Sequence, residues 1–319
     1  MTNAIVKGFG GLIGAKLMAA AMLALLSACV SFPPAPTLVA PPVIIGNGLQ
    51  SVDGAILGLR QWRAESPRAA LLAVHGMNDY SHAFDSAATY WAQEAGFTVY
   101  GLDQRGFGRS PRFGRWLGAE IMKADIRAAV DALRAAHPDL PIFVLGHSMG
   151  AAAVMAAEAD VSLGADGLIL GAPGVWGGAA LPIPYRIAAE TAGAFTPGKT
   201  LTGERANRQA TDNVELLRAM FYDPLVIKET RIDAVVGVTR LMGEAYASPE
   251  KIETRSLVLI GERDEIIPVH LQEKVAARLG GDVKTIRYPD GWHMLFRDLQ
   301  AEVVWKDVTD WINSVEVGN

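Results

Sequence analysis

A serine between two glycines is the strongest chemical signal in the sequence. Ser148 lies in the pattern G-x-S-x-G, with Gly146 before it and Gly150 after it. The apolar run 142–145 precedes this pattern and an alanine-rich segment follows it, which predicts a strand, a sharp turn and a helix. Glycine at both positions removes side chains that would clash in the turn, and the free amides of the helix N-terminus can stabilise an anion. The pattern therefore predicts that Ser148 is a nucleophile.

A serine hydroxyl is an effective nucleophile only when a base takes its proton and a third group orients that base. Asp264 follows the predicted strand 257–260, and His293 follows the predicted strand 283–287. Both are expected at the carboxyl edge of the sheet, where Ser148 emerges. Other residues carry the same chemistry, namely the carboxylates Glu262, Glu265 and Asp290 and the histidines His137, His147 and His270.

Local context decides among these candidates. Asp264 is preferred because a glycine at 261 and a proline at 268 bracket its turn. His270 begins a predicted helix, and His137 precedes a proline at a helix end. His147 is expected to pack beside the turn. The predicted catalytic residues are therefore Ser148, Asp264 and His293.

An oxyanion hole is the remaining requirement for acyl transfer. The Met149 amide directly follows the predicted nucleophile and is the first expected donor. The loop after the predicted strand 71–74 is expected to supply the second, since Gly76 would let the Met77 amide face the site. In the same loop His75 is expected to be structural, whereas Asn78 or Tyr80 could contact substrate.

Hydrophobic periodicity predicts the elements that position these residues. Apolar runs predict strands at 71–74, 98–102, 142–145, 167–170, 257–260 and 283–287. Helical spacing predicts helices at 84–95, 121–136, 149–159, 269–279 and 299–315. Their alternation predicts an α/β fold with a mostly parallel sheet. No strand pattern appears between 174 and 248, where aromatic residues among mixed charges predict an inserted, mainly helical cap.

Five motifs between residues 71 and 293 together resemble one family. They are His75-Gly76-Met77-Asn78-Asp79, Asp103-Gln104-Arg105-Gly106-Phe107-Gly108-Arg109-Ser110, Gly146-His147-Ser148-Met149-Gly150, Gly261-Glu262-Arg263-Asp264 and Gly291-Trp292-His293. With them the chain resembles α/β-hydrolases of the monoacylglycerol lipase and lysophospholipase branch, also called serine aminopeptidase-like. The resemblance implies an α/β-hydrolase core at 48–173 and 249–319 around a cap at 174–248. It also implies a triad of Ser148, Asp264 and His293, with oxyanion donors on Met77 and Met149, and a structural loop around Arg105.

The same resemblance implies a serine hydrolase that needs no cofactor or metal and cleaves carboxylic esters through an acyl-enzyme on Ser148. A single-chain lipid ester, such as a monoacylglycerol or a lysophospholipid, is the expected small-molecule substrate. Two alternatives stay open. One is a small-peptide or amide hydrolase, or a perhydrolase, with the same triad; the other is a binding lipoprotein without turnover.

The N-terminal segment resembles a bacterial lipoprotein signal. Lys7 and Lys16 are its only charged residues, and an apolar run from Leu17 to Leu26 leads to Ser27-Ala28-Cys29. This order predicts a signal peptide at 1–28 and lipidation of Cys29, which anchors the protein to the cell envelope. Residues 29–47 then form a tether with five prolines. The alternative to a cleaved signal peptide is an uncleaved anchor that reaches back to Ile5. If Cys29 is lipidated, the valine that follows it favours a location in the outer membrane, facing the periplasm or the cell surface.

Composition excludes several other classes of protein. The 319 residues are 50% hydrophobic and 20% charged, with a formal net charge of −5 and no cluster of Lys or Arg. Nucleic acid is therefore not an expected partner. A single cysteine excludes an internal disulfide framework and a zinc site built on cysteines. The sequence contains neither an H-E-x-x-H zinc motif nor a phosphate-binding P-loop.

Overall fold

The computed structural model describes residues 30–203 and 208–317. Its centre is a nine-stranded sheet with the strand order β1-β2-β3-β5-β4-β6-β7-β10-β11. The pairs β1/β2, β2/β3 and β3/β5 are antiparallel, and the pairs from β5 to β11 are parallel. The strands are β1 Val43–Ile45, β2 Gly48–Gln50, β3 Ile56–Trp62, β4 Ala69–Val74, β5 Phe97–Leu102, β6 Ile142–His147, β7 Gly167–Gly171, β10 Ser256–Gly261 and β11 Val283–Tyr288.

Helices cover both faces of this sheet. Consecutive strand residues point to opposite faces, and Leu71 and Leu72 of β4 accordingly lie in two different hydrophobic clusters. One cluster includes α2 (Ala119–Ala136), α3 (Met149–Asp160) and α7 (Val269–Ala276), and the other includes α1 (Asp85–Gln93) and α8 (Ala301–Val317). The parallel strands β4, β5, β6, β7 and β10 are buried on both sides, which explains their nearly continuous apolar sequences, whereas the edge strand β11 is largely exposed.

The chain between β7 and β10 forms the insertion expected as a cap. It contains α4 (Ile183–Phe195), α5 (Val214–Tyr222) and α6 (Ile232–Ala247), so it is mainly helical. It also contains a short two-stranded sheet that no sequence pattern indicated, in which β8 (Thr200–Thr202) pairs antiparallel with β9 (Glu229–Arg231). Strands of three residues are too short to show an alternating pattern. α6 joins the cap to the core through Val238 and Leu241, which lie in the same cluster as α3.

The N-terminal segment contacts both the cap and the core. The Val30 carbonyl accepts a hydrogen bond of 2.7 Å from Arg240 of α6, and the Phe32 ring meets Trp116 edge-on at 6.5 Å between centroids. Residues 30–32 are called the N-terminal strap below. The sheet begins at Val43, five residues before the expected core boundary at 48.

The predicted signal peptide 1–28 and Cys29 lie outside the described residues. Within the part of the chain that the structure describes, no helix is both long and apolar enough to cross a membrane.

Candidate active site

Ser148 occupies the sharp turn between β6 and α3. Its backbone has a φ of +54° and a ψ of −117°, a region that L-residues rarely adopt. A Cβ atom at Gly146 would lie 2.5 Å from the Ala151 Cα, and one at Gly150 would lie 2.1 Å from the Val74 carbonyl oxygen. Both glycines are therefore required by close packing around the turn.

The three predicted catalytic side chains meet at the carboxyl edge of the sheet. His293 Nε2 lies 2.9 Å from Ser148 Oγ, and His293 Nδ1 lies 2.8 Å from Asp264 Oδ2. Asp264 follows β10, and His293 lies in the loop 289–300 between β11 and α8, here called the histidine loop. All three are at most 8% exposed. His293 is therefore placed to accept the Ser148 hydroxyl proton, and Asp264 is hydrogen-bonded to the opposite nitrogen of the imidazole.

Asp264 is held ionised by its surroundings. Burial disfavours its charge, but the facing His293 and the amides of Ile267 and Ile266 outweigh burial and hold the pKa of Asp264 below its usual value. Both amides donate to Oδ1, at 2.9 and 2.8 Å. Gln272 of α7 donates to Asp264 Oδ2 at 3.0 Å. No sequence motif predicts this supporting contact. An ionised, fixed carboxylate can stabilise the imidazolium that forms when His293 takes a proton.

The two expected oxyanion amides flank the nucleophile. Met149 is the first residue of α3, so no preceding helical carbonyl accepts from its amide. A Cβ atom at Gly76 would lie 3.3 Å from the Ser148 Cβ, which places the loop of Met77 against the nucleophile. Among the described residues, no acceptor bonds the Met77 amide.

The two residues considered as possible substrate contacts are hydrogen-bonded to the cap. Asn78 Nδ2 donates to Thr230 Oγ1 at 2.6 Å, and the Tyr80 hydroxyl donates to Asp223 Oδ2 at 2.7 Å. His75 is buried in the same loop and accepts the Gln104 amide at 3.0 Å, in agreement with a structural role.

The loop after β5 is also structural. Arg105 forms ion pairs with Asp53 at 2.6 Å and with the buried Asp125 at 2.7 Å. These ion pairs fix the loop to the turn that precedes β3 and to α2. They agree with the structural role that the family resemblance implies for the loop around Arg105.

His147 does more than pack. Its Nε2 lies 2.8 Å from the His293 carbonyl oxygen, so this nitrogen must carry a proton and donate it to that oxygen. Burial, followed by the nearby His293, lowers the pKa of His147 to about 3. The ring therefore stays neutral beside the catalytic histidine, at 5.2 Å between centroids.

A cavity of about 280 Å³ lies between α5, the histidine loop and the segment 79–86. Its lining mixes acidic and apolar side chains, with Arg297 as its arginine; the lining includes Asp79, Asp85, Asp223, Phe296 and Trp305. Ser148 is not among the lining residues and is 6% exposed, so the nucleophile is covered. No group of three or more His, Cys, Asp or Glu side chains suited to a metal ion occurs in the described ranges.

Comparison with known proteins identifies the family. The family model described as serine aminopeptidase, S33 (Hydrolase_4) matches residues 65–300, most of the chain. The chain belongs to this family. The match includes the loop of Met77, the turn of Ser148 and the segments that carry Asp264 and His293.

Similar proteins cover most of the chain. A monoacylglycerol lipase of Mycolicibacterium smegmatis is 29% identical over 281 residues, which cover 84% of this chain and 96% of that protein. A monoglyceride lipase of Mus musculus is 25% identical over 275 residues, with coverages of 83% and 89%. These relatives place the chain in the monoacylglycerol lipase-type branch, consistent with a serine ester hydrolase.

Solved structures confirm the predicted α/β-hydrolase fold. A soluble variant of monoglyceride lipase from Saccharomyces cerevisiae superposes with a TM-score of 0.68 at 16% identity, covering 89% of this chain and 99% of that one. A thermostable carboxyl esterase from Bacillus coagulans gives a TM-score of 0.66 at 21% identity, with coverages of 84% and 97%.

Proposed function

We propose that this protein is a serine hydrolase that cleaves carboxylic esters of single-chain lipids through an acyl-enzyme on Ser148. One observation carries the proposal: Asp264, His293 and Ser148 form a continuous hydrogen-bonded series at a strained strand-to-helix turn. Relatives named monoacylglycerol lipases support the choice of a lipid monoester.

The proposed reaction has two proton-coupled steps. Ser148 Oγ attacks the ester carbonyl while His293 Nε2 takes the hydroxyl proton, and the Met77 and Met149 amides stabilise the resulting oxyanion. Collapse breaks the ester C–O bond, and His293 gives its proton to the leaving alcohol. Water then attacks the acyl-enzyme with His293 as base, which releases the fatty acid and restores Ser148. Asp264 stays ionised and stabilises the imidazolium in each step.

Replacing the nucleophile tests this proposal. Ser148→Ala is expected to abolish both fluorophosphonate labelling and hydrolysis of p-nitrophenyl esters, because no other group supplies the attacking oxygen. Ser162→Ala is the matched control, since Ser162 is an exposed serine just beyond α3 that donates to Glu158. Full turnover by Ser148→Ala would refute the proposal. Failure of well-folded wild type to label would favour a binding lipoprotein instead.

The family description as a serine aminopeptidase supports an alternative substrate, a small peptide or amide. A panel of acyl esters of increasing chain length, assayed beside aminoacyl amides, separates the two. We expect higher kcat/KM on medium or long acyl esters than on any amide. Preference for an amide would move the assignment to peptide chemistry and leave the role of Ser148 intact.

We also propose that the protein is lipid-anchored in the bacterial cell envelope through Cys29. Support comes from the sequence, where a short apolar run ends in Leu26-Ser27-Ala28-Cys29. Cys29→Ala should leave a larger, unacylated precursor, and globomycin treatment of the wild type, which blocks cleavage before Cys29, should also leave a larger precursor. Normal processing of Cys29→Ala would contradict the anchor without affecting the proposed chemistry. If Cys29 is acylated, fractionation of the envelope would show whether the protein is in the inner or the outer membrane.

A further inference from the structure

A short stretch of the cap is bonded on both sides of the catalytic histidine. Residues 209–213, here called the return segment, lead into α5 and run beside the histidine loop. The Met294 amide, one residue after His293, donates to the Ala210 carbonyl at 2.9 Å. The Trp292 amide, one residue before His293, donates to Asp298 Oδ2 at 2.8 Å.

Asp298 links this second contact to the cap. Its other oxygen, Oδ1, accepts the Thr211 hydroxyl at 2.6 Å. Thr211 is 1% exposed and Asp298 is 4% exposed, so water does not compete strongly for the bond. A single buried carboxylate therefore joins the backbone beside His293 to a cap hydroxyl.

The return segment is itself fixed to the start of α5. Asn213 Oδ1 caps that helix by accepting the Leu216 amide at 3.0 Å, and Asn213 Nδ2 donates to the Arg297 carbonyl at 3.0 Å. A displacement of α5 would therefore act on the return segment and through it on the histidine loop. The bonds to the return segment are not needed to close the turn of the histidine loop. The Arg297 and Asp298 amides already close that turn by donating to the Met294 carbonyl.

We propose that Thr211 and Asp298 are positioning residues that orient the His293 imidazole toward Ser148 according to the position of the cap. The inference rests on the proposed hydrolase function. When the return segment is in place, the backbone on both sides of His293 is fixed and Nε2 reaches the serine hydroxyl. When the cap is displaced, the Thr211–Asp298 bond is lost and His293 is no longer held in reacting geometry. Catalysis is sensitive to such displacements, because a shift of about 1 Å can cost about 100-fold in rate.

Removal of one hydroxyl tests the proposal. Thr211→Val keeps the shape of the side chain and removes its bond to Asp298. With a soluble short-chain p-nitrophenyl ester, we expect kcat per folded molecule to fall about 10- to 100-fold, while KM changes less than about two-fold. Thr211→Ser, which keeps the hydroxyl, should restore kcat.

The matched control is Thr200→Val. The exposed Thr200 of β8 also donates to a carboxylate, Glu229 Oε2 at 2.8 Å, but neither partner is hydrogen-bonded to the histidine loop. This variant should keep the wild-type kcat. A Thr211→Val enzyme with kcat within two-fold of wild type, or a loss that Thr211→Ser does not rescue, would overturn the proposal.

A second variant keeps the test valid if Thr211→Val folds poorly. Asp298→Asn preserves side-chain volume, and its kcat should fall by a similar factor. In the double variant the two losses should not multiply, because Thr211 and Asp298 belong to one series of bonds from the cap to the Trp292 amide. Multiplicative losses would overturn the inference. Ser148→Ala distinguishes this failure from failure of the proposed function, since an active Ser148→Ala enzyme would refute the hydrolase itself.

Discussion

Gly150 shows how tightly the turn at Ser148 is packed. A Cβ atom there would sit 2.1 Å from the Val74 carbonyl oxygen of β4, a backbone atom that cannot rotate away. We predict that Gly150→Ala lowers the free energy of unfolding by about 1–3 kcal/mol and reduces esterase activity, because β4 and α3 must separate. Urea denaturation beside Gly203→Ala, where the added atom meets open space, measures the difference. Equal midpoints for the two variants would contradict the packing argument.

His147 makes the stability of the protein depend on pH. Burial, with His293 as the second cause, lowers the pKa of His147 to about 3, against 6.5 for an unperturbed histidine. Between these two values the unfolded chain binds a proton here and the folded protein does not. The free energy of unfolding therefore falls as the pH is lowered through this range, by up to about 1.4 kcal/mol per pH unit from this residue.

Denaturant unfolding at pH 7.5 and at pH 5 checks this prediction. His147→Gln should lose part of the wild-type dependence on pH, because glutamine binds no proton in either state. His270→Gln, at an exposed histidine of α7, should keep it. A His147→Gln protein with the full wild-type dependence would show that other groups cause it.

The sequence predicts these residues unequally, for a physical reason. Ser148, Asp264 and His293 each follow a strand within a local motif, so strand order alone brings them to one edge. Thr211 and Asp298 are 87 residues apart and carry no motif. Their contact depends on how the cap folds back, which periodicity does not encode. The bond from His147 to the His293 carbonyl joins two core residues 146 positions apart, so no local motif predicts it either.

Among the elements, the N-terminal strap connects the cap to the core. Phe32 packs edge-on against Trp116 of the core, and the Arg240 guanidinium of α6 lies 5.8 Å from the Phe32 ring centre. We predict that Phe32→Ala weakens this attachment by about 1 kcal/mol, which increases proteolytic cleavage within the cap about five-fold. Leu38→Ala is the control, because Leu38 lies in the same proline-rich stretch and is 70% exposed. Equal cleavage rates for the two variants would contradict the prediction.

The buried parallel strands of the core follow from the sequence, whereas the half-buried seven-residue strand β3 and the short strands do not. The six predicted strands correspond to β4, β5, β6, β7, β10 and β11, and the first five of these are fully buried, which explains their nearly continuous apolar sequences. The three-residue strands β1, β2, β8 and β9 carry no such pattern, and their pairing is decided by the chain around them.

For the whole molecule, the exposed apolar start of α4 is the surface through which we expect the protein to bind lipid. Ile183, Tyr185 and Ile187 are 61–63% exposed, and the strap reaches the same helix, where Gly193 packs on Val30. With a net charge of −5, the protein gains little from attraction to anionic lipids. We predict that it binds phosphatidylcholine vesicles through apolar contact, with little dependence on salt.

Two isoleucines give the corresponding test. Ile183→Ser with Ile187→Ser should weaken vesicle binding about ten-fold or more, since each removes apolar surface worth about 1 kcal/mol or more. Hydrolysis of a soluble ester should stay unchanged. Val161→Ser, at an equally exposed position after α3, should bind vesicles normally. Binding that is lost in salt but kept in the isoleucine variant would contradict an apolar contact.

Because of the bonds on either side of His293, hydrogen exchange in the histidine loop also measures movement of the cap. The Met294 amide is bonded to the cap directly, and the Trp292 amide is bonded through Asp298. Both amides exchange with deuterium when these bonds open. Their exchange rates at a lipid surface would therefore record how often the cap lifts, read from residues that belong to the core.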